Sequence, residues 1–346
     1  MRFYDRQHQF YCGVDLHTKR MYLCILDQDG NKRLHRNVRA KPLDFLSAVK
    51  DFRDDLVVGV ECMFTWYWLA DLCQDEGIEF LLGHALYMRA IHGGKKKDDK
   101  LDSEKIARLI RGGTFPLSYV YPREMRAARD LVRRRMFLVR RRSELLQHVQ
   151  LVNQQYNYEA FEKTLKYPGN RDVLDRFEED SARMTVEADL LMVGHYDRLL
   201  KQLEANLLRQ AIRHDPQSCS LLRTIPGIGK ILSLVLLYEI HTIDRFPSVG
   251  DFLSYARLVT PKQTSAGKVT GQGGAKIGNS HLKWAFSEAV LWMLRYCDEA
   301  KAFLKRKEKK HGKSRAMTML SRKIARAVFY ILKRKEPFDA VAFFAS

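Results

Sequence analysis

The apolar residues of this chain change period near residue 122, and that break constrains the fold more than any other feature. Before it, short β-rich runs alternate: FYCGVDLH at 10–17, MYLCILD at 21–27 and DLVVGVE at 55–61. Alternation with period two marks strands that bury one face. After it, Leu131, Leu138, Leu145 and Val152 recur every seven residues, the spacing of an apolar seam along a helix. A chain carrying both periods divides into an α/β part and a helical part.

Residues 10–112 read as three strands followed by alternating helix and strand. NKRLHRNVRA at 31–40 is the expected third strand, after a DQDG turn. A helix near 42–54, a buried strand at 55–61, a helix at 65–76 and the strand IEFLLGH at 78–84 come next. GGKKKDD is a loop, and LDSEKIARLIRGG is a helix ended by a glycine pair. This is a ribonuclease-H-like order. In such a sheet the first and fourth strands are neighbours, and the last helix crosses near their ends.

Residues 123–142 hold nine arginines against two acids, on the first helix of the arm. YPGN at 167–170 breaks the pattern, and a second helical stretch, 185–213, carries Leu190, Val193, Leu200, Leu203 and Leu207. Two outcomes fit: a helical hairpin that packs on itself, or a coiled-coil arm that joins two chains. SLLRTIPGIGKILSLVLLYEI at 220–240 reads helix, Gly-rich turn, helix. A Gly-rich loop is expected at 266–279 and a helix from about 280 to 296. The expected divisions are 1–121, 122–215 and 216–346.

The net charge is +19 over 346 residues, which suits a polyanionic partner. The stretch 301–335 alone carries fourteen Lys or Arg against Glu308. SLVLLY at 233–238 is among the longest apolar runs, far short of the roughly 20 residues a bilayer span needs. The N-terminus has no signal-peptide core. Six cysteines without a CxxC pair read as reduced thiols of a cytosolic protein, with no disulfide or zinc framework.

Four acids then stand out. Asp15 lies in the first strand and Glu61 ends the fourth. Asp99 and Asp102 open the helix after the fifth, three residues apart and so on one helical face. In the expected sheet these carboxylates converge. Two unit charges 4 Å apart repel by about 4 kcal/mol at an effective dielectric of 20, so the cluster needs protons or a divalent cation. Oxygen ligands suit Mg²⁺ and phosphodiester chemistry, with Mn²⁺ an alternative. The plainer alternative is that these acids only start a helix, with Asp99 as its N-cap.

IPGIGK at 225–230 has the pattern of a helix-hairpin-helix. Gly227 and Gly229 would let backbone N–H groups meet a phosphate, with Lys230 beside them; a tight interhelical turn is the alternative. Lys268, Lys276, Arg133, Arg134 and Arg141 are the other expected nucleic-acid contacts. QTSAGKVTGQGGAKIGN at 263–279 places a serine before a Gly-rich, Lys-bearing loop. A serine needs a base, a metal or a field of donors to become a nucleophile, and no local histidine supplies one. By itself this loop reads as a phosphate-contacting or flexible segment.

Taken in order, these motifs resemble the DEDD insertion-sequence transposases, the family that includes Piv-type DNA invertases and bridge-RNA-guided recombinases. GVDLHTK and VGVE resemble its first two acidic strands. KKKDDKLDSEKIARL resembles its third motif and places the last two acids on Asp99 and Asp102. TIPGIGKILSLVLLYEIHTIDRFPSVGDFLSYARLVTPKQTSAGK and the GGAKIGNSHLKWAF that follows resemble its C-terminal transposase domain, and PFDAVAFF resembles its usual ending. The resemblance implies a RuvC-like metal domain, a coiled-coil arm and a helical domain whose serine attacks DNA to form a phosphoserine. That position is Ser265. It implies Mg²⁺ on Asp15, Glu61, Asp99 and Asp102, and a composite site of carboxylates and serine. It also implies double-stranded DNA as substrate, a structured noncoding RNA as guide, a homodimer or homotetramer, and a place at the prokaryotic nucleoid. A water-using junction nuclease and a non-catalytic nucleic-acid-binding protein are the alternatives. Two places depart from the pattern: Cys62, Met63 and Phe64 stand where small residues usually follow Glu61, and Arg257 replaces a usual glycine.

Overall fold

A computed structural model describes residues 2–91, 98–259, 262–265, 267–273 and 277–345. Contacts divide the chain into two compact units, Met1–Arg123 and Glu124–Ser346.

In the first unit the elements run β1 (Phe3–Tyr4), β2 (Phe10–Leu16), β3 (Arg20–Asp27), β4 (Lys32–Arg39), α1 (Pro42–Val49), β5 (Leu56–Glu61), α2 (Tyr67–Asp75), β6 (Glu79–Gly83), α3 (Ala85–Ile91), α4 (Asp99–Arg111) and β7 (Phe115–Pro116). Five strands form one mixed sheet in the order β4-β3-β2-β5-β6. β3 is antiparallel to β2 and β4, whereas β5 is parallel to both β2 and β6. The first and fourth strands of the sheet are therefore neighbours, as the sequence order implies. The expected helix at 42–54 is shorter: α1 ends at Val49 and Lys50–Asp55 tightens into a 3₁₀ segment before β5.

Alternation along β2 and β5 explains the two layers. Cys12, Val14, Leu16, Val58 and Val60 point to one face and pack with Phe45 of α1 and Leu69 of α2. Tyr11 and Val57 point to the other and pack with Ile106 and Ile110 of α4 and with Phe115. Glycines interrupt this second face. A Cβ on Gly13 would lie 2.1 Å from the Ser103 carbonyl oxygen and 2.4 Å from the Ala107 nitrogen. Gly13 thus lets the backbone of α4 lie directly on β2.

The second unit contains α5 (Arg123–Gln155, beginning at the last residue of the first unit), α6 (Asp180–His214), α7 (Pro216–Leu222), α8 (Lys230–Ile240), α9 (Val249–Tyr255), β8 (Lys262–Ser265), β9 (Lys268–Gln272), α10 (Ser280–Tyr296), α11 (Asp298–His311), α12 (Lys313–Arg334) and α13 (Ala340–Ala345). Its core gathers Met125 and Val132 of α5, Val235 and Leu236 of α8, Phe286 of α10 and Val328 of α12. The distal halves of α5 and α6 form a separate cluster with Val149, Val186 and Val193 around Phe177. Ion pairs Arg135–Glu204, Arg142–Asp197 and His148–Asp189 step up one helix and down the other, so the pair is antiparallel. The arm packs on itself. The segment expected as a Gly-rich loop instead holds a hairpin, β8 paired antiparallel with β9. Its Thr and Val residues and the left-handed Gly267 (φ +75°) suit a tight β-turn better than an open loop.

Candidate metal and serine sites

Asp15 is the sixth residue of β2 and Glu61 the last of β5. The parallel register pairs Val14 with Val60, which brings Asp15 and Glu61 to the same level at one end of adjacent strands. Both belong to the face covered by α4. Because Gly13 admits Ser103, the helix start one turn earlier lies over this strand end. Oxygens of Asp15 and Asp99, and a nitrogen of His17, all fall within 4.8 Å of one another. The His17 Nε2 is 3.4 Å from Asp15 Oδ2 and 3.5 Å from Asp99 Oδ1. Asp102 follows on the next turn and pairs with Lys105 at 2.8 Å.

The N-cap of α4 is Asp98, whose side chain accepts a hydrogen bond from the Lys100 amide. That assigns the capping role to Asp98 and leaves the Asp99 carboxylate facing Asp15. Burial pushes the Asp15 carboxyl above the ordinary range; His17 opposes this, and the charges of Asp99 and Asp102 add to it. A half-buried carboxylate repelled by two others is a place where a cation gains most. Met63 and Phe64, the bulky residues that follow this strand end, are exposed, Phe64 to 80%.

In the second unit Ser265 ends β8 and pairs across the ladder with Lys268. Both are exposed, at the tip of the hairpin. The base of the hairpin is tied down. The Asn279 amide donates to the Tyr255 carbonyl at 2.6 Å, and Arg257 Nε donates to the Gly278 carbonyl at 3.0 Å. Arg257 sits at φ +56°, a backbone that favours glycine, and contributes a side-chain staple from that position.

Two family models describe this chain. Residues 219–305 match the transposase IS116/IS110/IS902 family, and residues 12–157 match the DEDD transposase model of the IS110 type. The chain belongs to the IS110 family of DEDD transposases. It is 24% identical over 294 residues to a putative transposase, y4qE, of Sinorhizobium fredii, covering 83% of this chain and 72% of that protein. It is 21% identical over 334 residues to the transposase for insertion sequence element IS1111A of Coxiella burnetii, covering 94% and 90%.

A transposase of this family is an enzyme that binds DNA, and its DEDD domain implies a divalent metal. The residues present fit one. Carboxylate oxygens are hard ligands, and the Asp15–His17–Asp99 group offers one donor atom per residue within bonding reach of a shared ion. No helix among the described residues is long and apolar enough to cross a membrane.

The expected DNA-contact residues of this transposase divide by geometry. Arg134 and Arg141 stack on either side in sequence of Phe137, 4.8 and 5.0 Å from its ring, on an exposed face of α5. Arg133 is spent differently: it donates to Glu239 at 2.6 and 2.9 Å. Gly227 (φ +91°) is required by packing, since a Cβ there would lie 2.5 Å from the Met293 nitrogen. Gly229 has open space around it and is the N-cap of α8, next to the exposed Lys230. Lys276 lies outside the described residues, as do Lys95–Lys97.

Sequence reasoning missed two features. Asp15 and His17 share a face because strand residues two apart do, so D-L-H on a strand was the available signal. The second is Glu239, wholly buried at the end of α8. It is held by Arg129 at 3.2 Å, by Arg133, and by Asn279 Nδ2 at 2.7 Å. Burial alone would raise its carboxyl, but the Arg133 hydrogen bond, both guanidinium charges and Asn279 bring it down to about 2. Asn279 also caps α10, accepting from the His281 and Leu282 amides. The network therefore fixes the end of the segment that carries Ser265. No local sequence pattern announces it, because its partners lie 40 and 106 residues away.

Proposed function

We propose that this transposase cuts and rejoins DNA through Ser265, assisted by Mg²⁺ held by Asp15, Glu61, Asp99 and Asp102, with Mn²⁺ able to substitute. On this reading residues 1–121 are a RuvC-like metal domain, 122–215 a coiled-coil arm, and 216–346 the serine-bearing domain with its helix-hairpin-helix and basic tail. The observation that carries the reading is the meeting of Asp15 and Asp99, with their ligand atoms within 4.8 Å of His17 and of each other, in a chain of the DEDD family.

The chemistry balances without an outside energy source. Serine Oγ bonds to phosphorus as one phosphodiester P–O bond breaks. The serine proton is lost and the leaving deoxyribose oxygen gains one. Attack by a deoxyribose hydroxyl of the joining strand reverses these steps and frees the serine. A divalent cation supplies stabilisation of the charge on the phosphoryl oxygens. Asp15 and its neighbours would hold that cation, and Lys268, opposite Ser265, would draw a phosphate to the hydroxyl. Arg134, Arg141, Gly229, Lys230 and Lys276 would contact the DNA backbone. A net charge of +19 supports a second polyanion, a structured guide RNA, and the exposed Leu151, Met184 and Leu191 of the arm support self-association into a dimer or tetramer.

The test is to incubate the protein with element-end DNA, Mg²⁺ and the RNA transcribed beside the element, and to look for a protein–DNA adduct stable to denaturant. Wild type forms it; Ser265→Ala and Asp15→Asn do not. Cutting that persists in Ser265→Ala without an adduct would assign the reaction to water.

A further inference from the structure

We infer that His17 is a nitrogen ligand of the divalent cation, so that this centre binds a first-row transition ion such as Mn²⁺ more tightly than the Mg²⁺ it works with. The inference rests on the reading of the acid cluster as a metal site and narrows which ion that site selects.

The geometry points to a ligand and not to an ordinary surface ion pair. The His17 Nε2 faces two carboxylates at once, at 3.4 and 3.5 Å. Both are longer than a good N–H···O hydrogen bond, and one nitrogen carries at most one proton for the two oxygens. The same spacing suits donors around one ion. Ligands at about 2.1–2.2 Å from a metal lie roughly 3 Å apart when adjacent and about 4.4 Å apart when opposite. The three donor atoms, all within 4.8 Å of one another, have the separations of such a shell before it closes on its ion.

The backbone holds the imidazole there. Asp15 and His17 lie on the same face because Leu16 between them is buried in the opposite core. The His17 amide donates to the Arg20 carbonyl at 3.0 Å, and Thr65 Oγ1 donates to the Leu16 carbonyl at 3.1 Å. The second bond ties the end of β2 to the segment just beyond Glu61. His17 is thus fixed where the four acids are expected to act. Carboxylates alone suit Mg²⁺, Ca²⁺ and Mn²⁺ alike, while an added imidazole favours transition ions.

The full-length protein labelled with ¹⁵N-histidine is titrated with Mn²⁺ and then with Mg²⁺, and electron spin-echo spectra of the bound Mn²⁺ are recorded. Wild type shows a directly bound histidine nitrogen. His17→Ala and His17→Gln lose that signal and bind Mn²⁺ about tenfold more weakly, while their Mg²⁺ affinity changes less than about threefold. The two variants guard against a folding artefact, since His17 is nearly half exposed and Gln keeps its bulk. Bound Mn²⁺ without a histidine coupling in wild type, with Asp15→Asn abolishing binding, would remove His17 from the shell and leave the carboxylate site standing. Wild type and Asp15→Asn binding Mn²⁺ equally weakly would overturn both.

Discussion

Gly13 shows how one residue sets a site two elements away. Its missing side chain lets α4 touch β2, and so places Asp99 over Asp15. Gly13→Ala forces a Cβ against backbone atoms that cannot rotate aside. It is expected to cost about 1–3 kcal/mol in urea unfolding and to weaken Mn²⁺ binding with it. Glu239 is the corresponding residue of the second unit. Glu239→Gln removes the buried charge on which Arg129 and Arg133 converge, and the expected loss is about 3–5 kcal/mol. Its carboxyl sits below its unfolded value in the folded protein, at about 2. The stability it contributes is therefore complete above the unfolded pKa of 4.5 and disappears as pH falls from there toward 2. Melting curves across that window should converge for wild type and Glu239→Gln. The meeting of Asp15 and Asp99 was legible in the sequence, because strand alternation and motif order put one at the end of β2 and the other at the start of α4. The capping role of Asp98 was legible only in part, since adjacent aspartates offer the same chemistry and only the backbone angles choose between them. Arg133 read as a DNA contact because its charge was visible and its buried partner, 106 residues away, was not.

At the scale of elements, period was a good guide and turn chemistry a poorer one. The strands of the sheet and the two long arm helices lie where alternation and the seven-residue seam put them. The hairpin carrying Ser265 was misread, because five glycines and two lysines between 263 and 279 resemble a loop when the pairing across them is out of view. The arm closes around Phe177, which is fully buried among Val149, Val186 and Val193. Phe177→Ala should destabilise the arm by about 3–5 kcal/mol, seen as faster hydrogen exchange in α5 and α6 with the first unit unchanged. Arg257 trades backbone ease for a staple at the hairpin base. Arg257→Gly relieves the left-handed strain but frees the Gly278 carbonyl. Adduct formation should slow while DNA affinity stays within about twofold, which separates positioning from binding.

Over the whole molecule the excess of positive charge was legible at once, and it implied a polyanion without saying where one would bind. Structure narrows that charge by showing which cations are committed to internal acids. Arg129, Arg133, Arg135 and Arg142 are tied to Glu239, Glu204 and Asp197, whereas Arg134 and Arg141 flank Phe137 on an exposed face, where Arg141 pairs with the exposed Glu144 of the same helix at 2.6 Å. Replacing Arg134 and Arg141 together by Ala should reduce the slope of log affinity against log salt for duplex DNA by about 2. Replacing Arg133 should act mainly on stability. The central claim is that the acids of β2, β5 and α4 form one cation centre that drives strand cleavage. Its most direct test is the rate of Mg²⁺-dependent cutting of element-end DNA by wild type and by Asp15→Ala, Glu61→Ala, Asp99→Ala and Asp102→Ala, each checked for folding by circular dichroism. Every one of the four should lose at least about 100-fold, close to 3 kcal/mol of transition-state stabilisation. A folded variant of any of them that cuts at the wild-type rate would contradict the account.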